Sequence, residues 1–232
     1  MANLSRLEAL VGAEGIKKLK KASVMVFGLG GVGSYAVEAL ARSGVGRLIL
    51  VDSDKIDETN INRQLYALSS TIGMKKTMVA KRRIEDIDLD IKVDIFDEML
   101  GKDNLDEFLQ MSPDWIADAI DDVSAKVMLL ASCRETGQKI ISSMGFANKI
   151  HPEMIEIAYL SDTSVCPLAR TMRQKLRALG VATDIPVVYS KEEAIPSPIL
   201  GSVSFVPASA GLCLAGYIVR QITEKEIGRA HV

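Results

Sequence analysis

A glycine-rich segment, GLGGVG at positions 28–33, follows an apolar run and precedes a stretch with helical spacing. In this order Gly28 allows a tight turn, Gly30 lets the backbone approach a phosphate, and Gly33 lets a helix pack closely on a strand. Asp52 ends the next apolar run, where a carboxylate can accept hydrogen bonds from ribose hydroxyls. The order predicts a nucleotide site, and the alternative is a glycine turn that serves packing alone.

Polar residues cluster after Asp52 and bear on which nucleotide is bound. The segment continues through Asp54, the NINRQ motif that contains Arg63, and a GxKK motif that contains Lys76. A triphosphate carries about four negative charges at neutral pH and needs several cations to position it. Arg63 and Lys76 can supply two, so the set favours ATP over NAD. Either cation alone could equally be a surface residue on a polar connection.

The composition is that of an ordinary globular protein and excludes several classes. The 232 residues are 48% hydrophobic and hold 28 Lys and Arg against 30 Asp and Glu, which excludes a globally basic nucleic-acid binder. Three cysteines without a C-x-x-C pair predict neither a zinc site nor a disulfide framework, and they fit a reducing, cytoplasmic setting. The apolar stretch 203–222 contains a proline, an arginine and two serines, so we expect a buried helix and no membrane partner.

Short apolar runs alternate with helical patterns along most of the chain. Strands are expected at 23–27, 47–51, 91–96, 114–118, 139–143, 154–160 and 186–189, and helices at 34–42, 74–88, 103–110, 123–136, 167–179 and from about residue 207. This alternation predicts an α/β fold, a Rossmann-like doubly wound, mostly parallel sheet with a C-terminal extension of antiparallel strands and helices.

One domain is expected over residues 1–232. Its ATP-binding core would span 22–145, and the portion 146–232 would build the substrate pocket and the dimer.

The motifs together resemble a known family. GLGGVG, the LVDSD strand end, NxNRQ, GxxK and DAIDD are similar to motifs of the ThiF/MoeB/ubiquitin-activating superfamily of ATP-dependent adenylating enzymes. The resemblance covers residues 6–126. In such enzymes a substrate carboxylate attacks the α-phosphorus of ATP and pyrophosphate leaves, so the protein mainly aligns two anions and neutralises charge.

The resemblance assigns roles to individual residues. It implies that Gly30, Gly31 and Gly33 line the phosphates, that Asp52 binds the ribose, and that the triphosphate is held by Asn60, Arg63, Gln64 and Lys76. Asp121, in DAIDD, would coordinate Mg²⁺ beside the α-phosphate; alternatively it caps the helix at 123–136, and Asp118 or Asp122 could share its role. Arg6 matches an arginine that dimers of the family donate to the partner's site.

The C-terminal half resembles one branch of this superfamily. CPLARTMRQKLRALG, VVYSKE and GSVSFVPASAGL are similar to the tRNA threonylcarbamoyladenosine dehydratase branch, which implies a threonylcarbamoyl carboxylate in tRNA as substrate, followed by dehydration and cyclisation. Four cations at 170–177 and five at 75–83 could contact RNA or simply be solvated helix faces. Cys166 lies near the expected pocket.

Three other functions stay open from the sequence. The chain could activate the C-terminus of a ubiquitin-like sulfur-carrier protein, although it lacks the paired C-x-x-C motifs that such activators usually carry. An NAD-dependent oxidoreductase would use the same glycine loop. A nucleotide-binding scaffold without catalysis is the third.

Overall fold

Seven strands form one sheet in the computed structural model, which describes residues 2–223. The strands are β1 (Ser23–Phe27), β2 (Arg47–Val51), β3 (Lys92–Phe96), β4 (Trp115–Asp118), β5 (Ile140–Ser143), β6 (Ile155–Tyr159) and β7 (Pro186–Ser190). The helices are α1 (Ser5–Lys21), α2 (Gly33–Arg42), α3 (Lys76–Ile87), α4 (Leu105–Gln110), α5 (Val123–Thr136), α6 (Pro167–Ala178) and α7 (Phe205–Thr223). Met1 and residues 224–232 of the expected domain ranges lie outside the described residues.

The strand order is β3-β2-β1-β4-β5-β7-β6. Every neighbouring pair is parallel except β7 with β6, which is antiparallel. The loops that follow the six parallel strands therefore meet at one edge of the sheet, here called the carboxyl edge; the opposite edge is the amino edge. Strand order reverses between β1 and β4, and at such a switch point doubly wound sheets bind their ligands.

The expected fold class is confirmed, and each expected element is present within a few residues of its sequence position. The C-terminal extension contains a single antiparallel strand, β6, because β7 returns parallel to β5. Two hydrophobic clusters cover the two faces of the sheet. One face carries α1, α2, α3 and α7, and the other carries α4, α5 and α6, so the sheet is doubly wound.

The last helix, α7, is long and apolar enough to cross a membrane by length and composition. It packs against α2, α1 and β5, and it buries Val206, Ala210, Leu214 and Ile218 at a four-residue spacing that places them on one helix face. The expectation of a core helix at this position is therefore confirmed.

The first helix consists of two pieces that fold back on each other. Gly12 has a φ of 74°, so the chain kinks there. As a result, both ends of the helix contact the turn at 43–46, just before β2. A Cβ on Gly44 would meet Leu4, and one on Gly46 would meet the backbone of Lys20. The second half of this helix belongs to the core, because it buries Ile16 and Leu19.

Candidate active site

The glycine loop follows β1 at the carboxyl edge and opens α2. Gly28 has a φ of 85°, and a Cβ there would lie 2.6 Å from the carbonyl oxygen of Ala119. A Cβ on Gly33 would lie 1.8 Å from the carbonyl oxygen of Gly28, so helix and strand approach as closely as backbones allow. Within residues 2–223, the backbone N–H groups of 30–33 have no acceptor. These groups form an anion site at a helix N-terminus.

Asp52 joins the glycine loop to the end of β2. One carboxylate oxygen accepts a hydrogen bond from the N–H of Leu29 at 2.6 Å, and the other accepts one from the N–H of Asp54 at 2.8 Å. Burial raises the pKa of this carboxyl group, while the ammonium of Lys76, 3.9 Å away, opposes that rise. Lys76 is itself buried and forms a 2.7 Å ion pair with Asp54. The predicted ribose acid and the predicted phosphate cation therefore lie together beside the loop.

The residues of the NINRQ motif have different environments: Gln64 lies beside the glycine loop, whereas the side chains of Arg63 and Asn60 form hydrogen bonds within their own segment. Gln64 is buried, and its Nε2 would lie 3.8 Å from a Cβ on Gly30. Arg63 donates to the carbonyl oxygen of Thr59 at 2.7 Å. The Asn60 side chain takes part in the capping box of the short helix Glu58–Asn60, which gives it a structural role in this state.

Three aspartates follow β4, and each has a different environment. Asp118 is fully buried and pairs with Lys126 at 2.7 Å. Asp122 caps α5 by accepting a hydrogen bond from the N–H of Ala125 at 2.7 Å. Asp121 is exposed, and its carboxylate has no partner among the described residues. The helix-capping alternative for Asp121 is therefore wrong. Both carboxylate oxygens of Asp118 accept hydrogen bonds, whereas Asp122 uses one of its oxygens for the cap.

The structure does not bring Arg6 to the glycine loop. Arg6 is exposed in the first turn of α1, close to Leu4 and therefore to the turn before β2. That turn lies at the amino edge, so the full height of the sheet separates Arg6 from the phosphate loop of its own chain.

Reasoning from the sequence missed Lys126. Its ammonium donates to the carboxylate of Asp118, to the hydroxyl of Ser142 at 3.2 Å and to the carbonyl oxygen of Ser143 at 3.0 Å. Both charged groups of the pair have no exposed surface. The available signal was a single lysine in the apolar run AKVMLL. Breaking such a pair by removing one partner typically costs about 3–5 kcal/mol.

A loop at 191–204 connects β7 to α7 along the carboxyl edge. Asn148 donates its N–H to the carbonyl oxygen of Gly201 at 2.8 Å and accepts from the N–H of Ile195 at 2.7 Å. The side chain of Asn62 donates to the carbonyl oxygen of Ser202 at 3.0 Å. The loop therefore borders the NINRQ motif and forms one wall of the site.

Many of the cations in the two basic runs bond within the chain. In α6, Arg173 donates to the carbonyl oxygen of Thr163 at 3.0 Å. In the run 75–83, Arg83 makes a bidentate pair with Glu38 at 2.8 and 2.9 Å. The exposed cations of α6 are Arg170, Lys175 and Arg177. Only part of each run is therefore available for contacts with another molecule.

Comparison with known proteins identifies the family. A sequence-family model described as the ThiF family matches residues 4–231. The chain belongs to the ThiF family. This ThiF-family chain is 39% identical to the tRNA threonylcarbamoyladenosine dehydratase of Bacillus subtilis, with 94% of this chain and 93% of that protein covered.

Solved structures show the same fold. A crystal structure of E. coli tRNA N6-threonylcarbamoyladenosine dehydratase in complex with ATP has a TM-score of 0.92 and 31% identity to this ThiF-family chain, over 95% of this chain and 93% of that one. A complex of the same E. coli enzyme with AMP also has a TM-score of 0.92. The nucleotide in these similar structures is ATP or AMP, which favours the adenylating hypothesis over an NAD-dependent one.

Gly33→Ala is expected to destabilise the ThiF-family chain by about 3 kcal/mol, because the added methyl group would overlap the Gly28 carbonyl and force the backbones apart. It should also weaken ATP binding, since the loop cannot keep its shape. Urea unfolding and calorimetric titration with ATP measure the two effects. Gly101→Ala is the matched control, because a Cβ there meets nothing within 4 Å. Equal stability of the two variants would contradict the close approach.

Proposed function

We propose that this chain is an ATP-dependent adenylating enzyme that acts on the threonylcarbamoyl carboxylate of a modified adenosine in tRNA. The observation that carries the proposal is the helix N-terminus with unpaired N–H groups at 30–33, beside Asp52 and Lys76 and next to the free carboxylate of Asp121. The high similarity to tRNA threonylcarbamoyladenosine dehydratases over nearly the whole chain supports the choice of substrate.

The reaction asks little covalent chemistry of the protein. A carboxylate oxygen of the substrate forms a bond to the α-phosphorus, the bond from that phosphorus to the bridging oxygen breaks, and pyrophosphate leaves. The amide of the threonylcarbamoyl group then attacks the activated carbonyl, AMP leaves, and the ring closes with the net loss of water. Arg63 and Lys76 balance the growing negative charge, and the 30–33 backbone holds the phosphates.

Magnesium is part of this proposal. Mg²⁺ is usually held by one or two carboxylates together with phosphate oxygens, so one unpaired carboxylate at the phosphate loop fits it. Asp121 would be the protein ligand. The ion would supply neutralisation of phosphate charge.

Binding of tRNA would rely on positive surface, because phosphate contacts dominate the affinity of such complexes. The exposed cations Arg170, Lys175 and Arg177 lie on α6. This helix begins near the carboxyl edge. Its residue Leu168 faces Gly145, just after β5, since a Cβ added to Gly145 would lie 3.5 Å from the Leu168 side chain. In this proposal α6 guides the nucleic acid toward the ATP site, and residues 22–145 hold the nucleotide while 146–232 form the substrate side.

The assembly proposed is a cytoplasmic homodimer in which each Arg6 reaches the triphosphate site of the partner. The position of Arg6 at the amino edge favours this arrangement, since it cannot reach the phosphate loop of its own chain without refolding α1.

A carrier-protein substrate is the second candidate. A probable molybdopterin-synthase adenylyltransferase from Porphyra purpurea is 36% identical over 53% of this chain. That similarity covers half of the chain, whereas the dehydratases match nearly all of it, so we favour the tRNA substrate.

Nucleoside profiling tests the proposed substrate directly. Modified tRNA is incubated with the protein and Mg-ATP, digested, and analysed by mass spectrometry. The proposal predicts an ATP-dependent loss of one water from the threonylcarbamoyl nucleoside, with pyrophosphate and AMP in equal amounts. Pyrophosphate release that requires a carrier protein ending in Gly-Gly, with no change in the tRNA, would favour the second candidate.

Mg-ATP is expected to raise the thermal midpoint, and NADH is not. At a hundredfold excess over the dissociation constant, ligand linkage gives about 2.7 kcal/mol, or about 5 to 10 °C for a domain of this size. Differential scanning fluorimetry with each nucleotide measures the shift. Stabilisation by NADH alone would contradict the adenylation hypothesis.

A further inference from the structure

Lys126 and Asp118 form an ion pair that is fully buried beneath the carboxyl edge. Asp118 accepts three hydrogen bonds, from the Lys126 ammonium at 2.7 Å, from the Ser142 hydroxyl at 2.6 Å and from the N–H of Ile120 at 3.0 Å. The Lys126 ammonium reaches the Ser143 carbonyl as well. No buried side-chain polar atom of the described residues lacks a partner, so this network is complete.

A buried ion pair contributes little net stability to a core, even when all of its hydrogen bonds are made. Two charges lose their hydration, and apolar side chains of similar volume at such positions are often as stable or more so. What the pair provides instead is defined geometry. It ties the end of β4 to the end of β5 and to the first turns of α5, so three elements meet at one ammonium group.

The loop directly above the pair, residues 119–122, is fixed at both of its ends. Its beginning is held by the bond from Ile120 to Asp118, and its end is held by the capping bond of Asp122 on α5. Ala119 donates its N–H to the Phe27 carbonyl at 2.8 Å, at the start of the glycine loop. Among the described residues, Asp121 is thus the acid of this loop that has no partner on either carboxylate oxygen.

We propose that Lys126 is a positioning residue for the adenylation site: by holding Asp118, it sets the distance between Asp121 and the phosphate loop. The inference rests on the proposed function for its turnover readout and for Asp121 as the Mg²⁺ ligand. It concerns neither the stability of the fold nor the binding of ATP without metal. Its distinctive consequence is that loss of the network should affect what Mg²⁺ contributes.

The test compares single and compensated variants. Lys126→Met leaves Asp118 buried without its counter-ion and is expected to lower stability. The triple variant Asp118→Leu, Lys126→Met, Ser142→Ala removes the whole network, and its urea midpoint should return toward that of the wild type. Lys102→Met, on an exposed loop residue, is the control for the lysine substitution.

Three readouts separate positioning from mere stability. In the triple variant, the affinity for ATP without Mg²⁺ should stay within about twofold of wild type, the gain in affinity on adding Mg²⁺ should disappear, and turnover should fall by about 10- to 100-fold, as for partners that orient metal ligands. Adding Asp121→Ala to the triple variant should lower turnover only to the level of Asp121→Ala alone, because both changes act on the same contribution.

Wild-type turnover in the triple variant would overturn the inference, as would a retained Mg²⁺ effect on ATP affinity. If the triple variant does not fold, Ser142→Ala alone removes one of the three donors to Asp118, and an unchanged Mg²⁺ effect there would overturn it too. Absence of pyrophosphate release by the wild type would count against the proposed function instead, while the binding readouts would still decide the role of Lys126.

Discussion

Replacing Asp121 by alanine is expected to lower the rate of pyrophosphate release by about 10²- to 10³-fold, the usual effect of removing one preorganised charge at a developing transition state. The urea midpoint should not change, because the Asp121 carboxylate is exposed and has no partner among residues 2–223. A coupled pyrophosphate assay with modified tRNA measures the rate, and calorimetry measures the Mg²⁺ dependence of ATP binding.

The neighbouring residue provides the control for this prediction. Asp122→Ala removes the cap of α5 and should cost about 1 kcal/mol of stability while keeping most of the turnover. Asp121→Ala should therefore lower turnover without lowering stability, whereas Asp122→Ala should lower stability with little effect on turnover. Near-wild-type turnover of the Asp121 variant would remove this residue from the site.

Mixing two inactive variants is expected to restore activity. Arg6→Ala subunits lack the arginine that each chain would donate, and Asp121→Ala subunits lack the proposed metal ligand. In a mixed dimer with donation in trans, one site carries both defects and the other carries neither. After random exchange of equal amounts, turnover should reach about one quarter of the wild-type value, since half of the dimers are mixed and each has one intact site.

The position of Arg6 lets this experiment distinguish donation in trans from donation in cis. It lies at the amino edge of its own sheet, so a contribution in cis is not available without refolding α1. Pyrophosphate release is followed while the mixing ratio is varied, and sedimentation is run at the same concentrations. A monomer in sedimentation, or inactivity at every ratio, would contradict the shared site. Mixing two preparations of the same variant is the control.

Local patterns were enough to predict most of the fold. Each strand is a short apolar run that ends in a turn or an acid, and the glycine loop with Asp52 repeats a pattern whose geometry is set by nearby residues. The direction of β7 was not predictable in this way, because it depends on which strand the chain returns to after α6. The two-piece shape of α1 depends on one glycine at positive φ inside a helical pattern.

The site was less predictable than the fold, because several of its contacts join distant segments. Lys126 meets Ser142 only once α5 has packed across the end of β5, and no spacing rule indicates that contact. Asn60 is expected as a ligand for phosphate, and spacing alone did not show that its amide oxygen also accepts a hydrogen bond in the capping box of its own turn. Sequence spacing suggests which residues lie near a phosphate, while long-range packing decides which of them have donors or acceptors left to offer.

The packing of α7 on the glycine loop has a consequence for how the protein is made. A Cβ added to Gly31 would lie 3.1 Å from the side chain of Pro207, and one added to Gly211 would lie 2.2 Å from the carbonyl oxygen of Val32. The surface that supports the loop therefore comes from a helix translated long after the loop itself. A nascent chain that has emerged only as far as β5 contains the whole glycine loop at 28–33 but not the helix that packs against it. We expect the newly made chain to retain ATP only after α7 has left the exit tunnel, although N-terminal segments can begin to fold earlier.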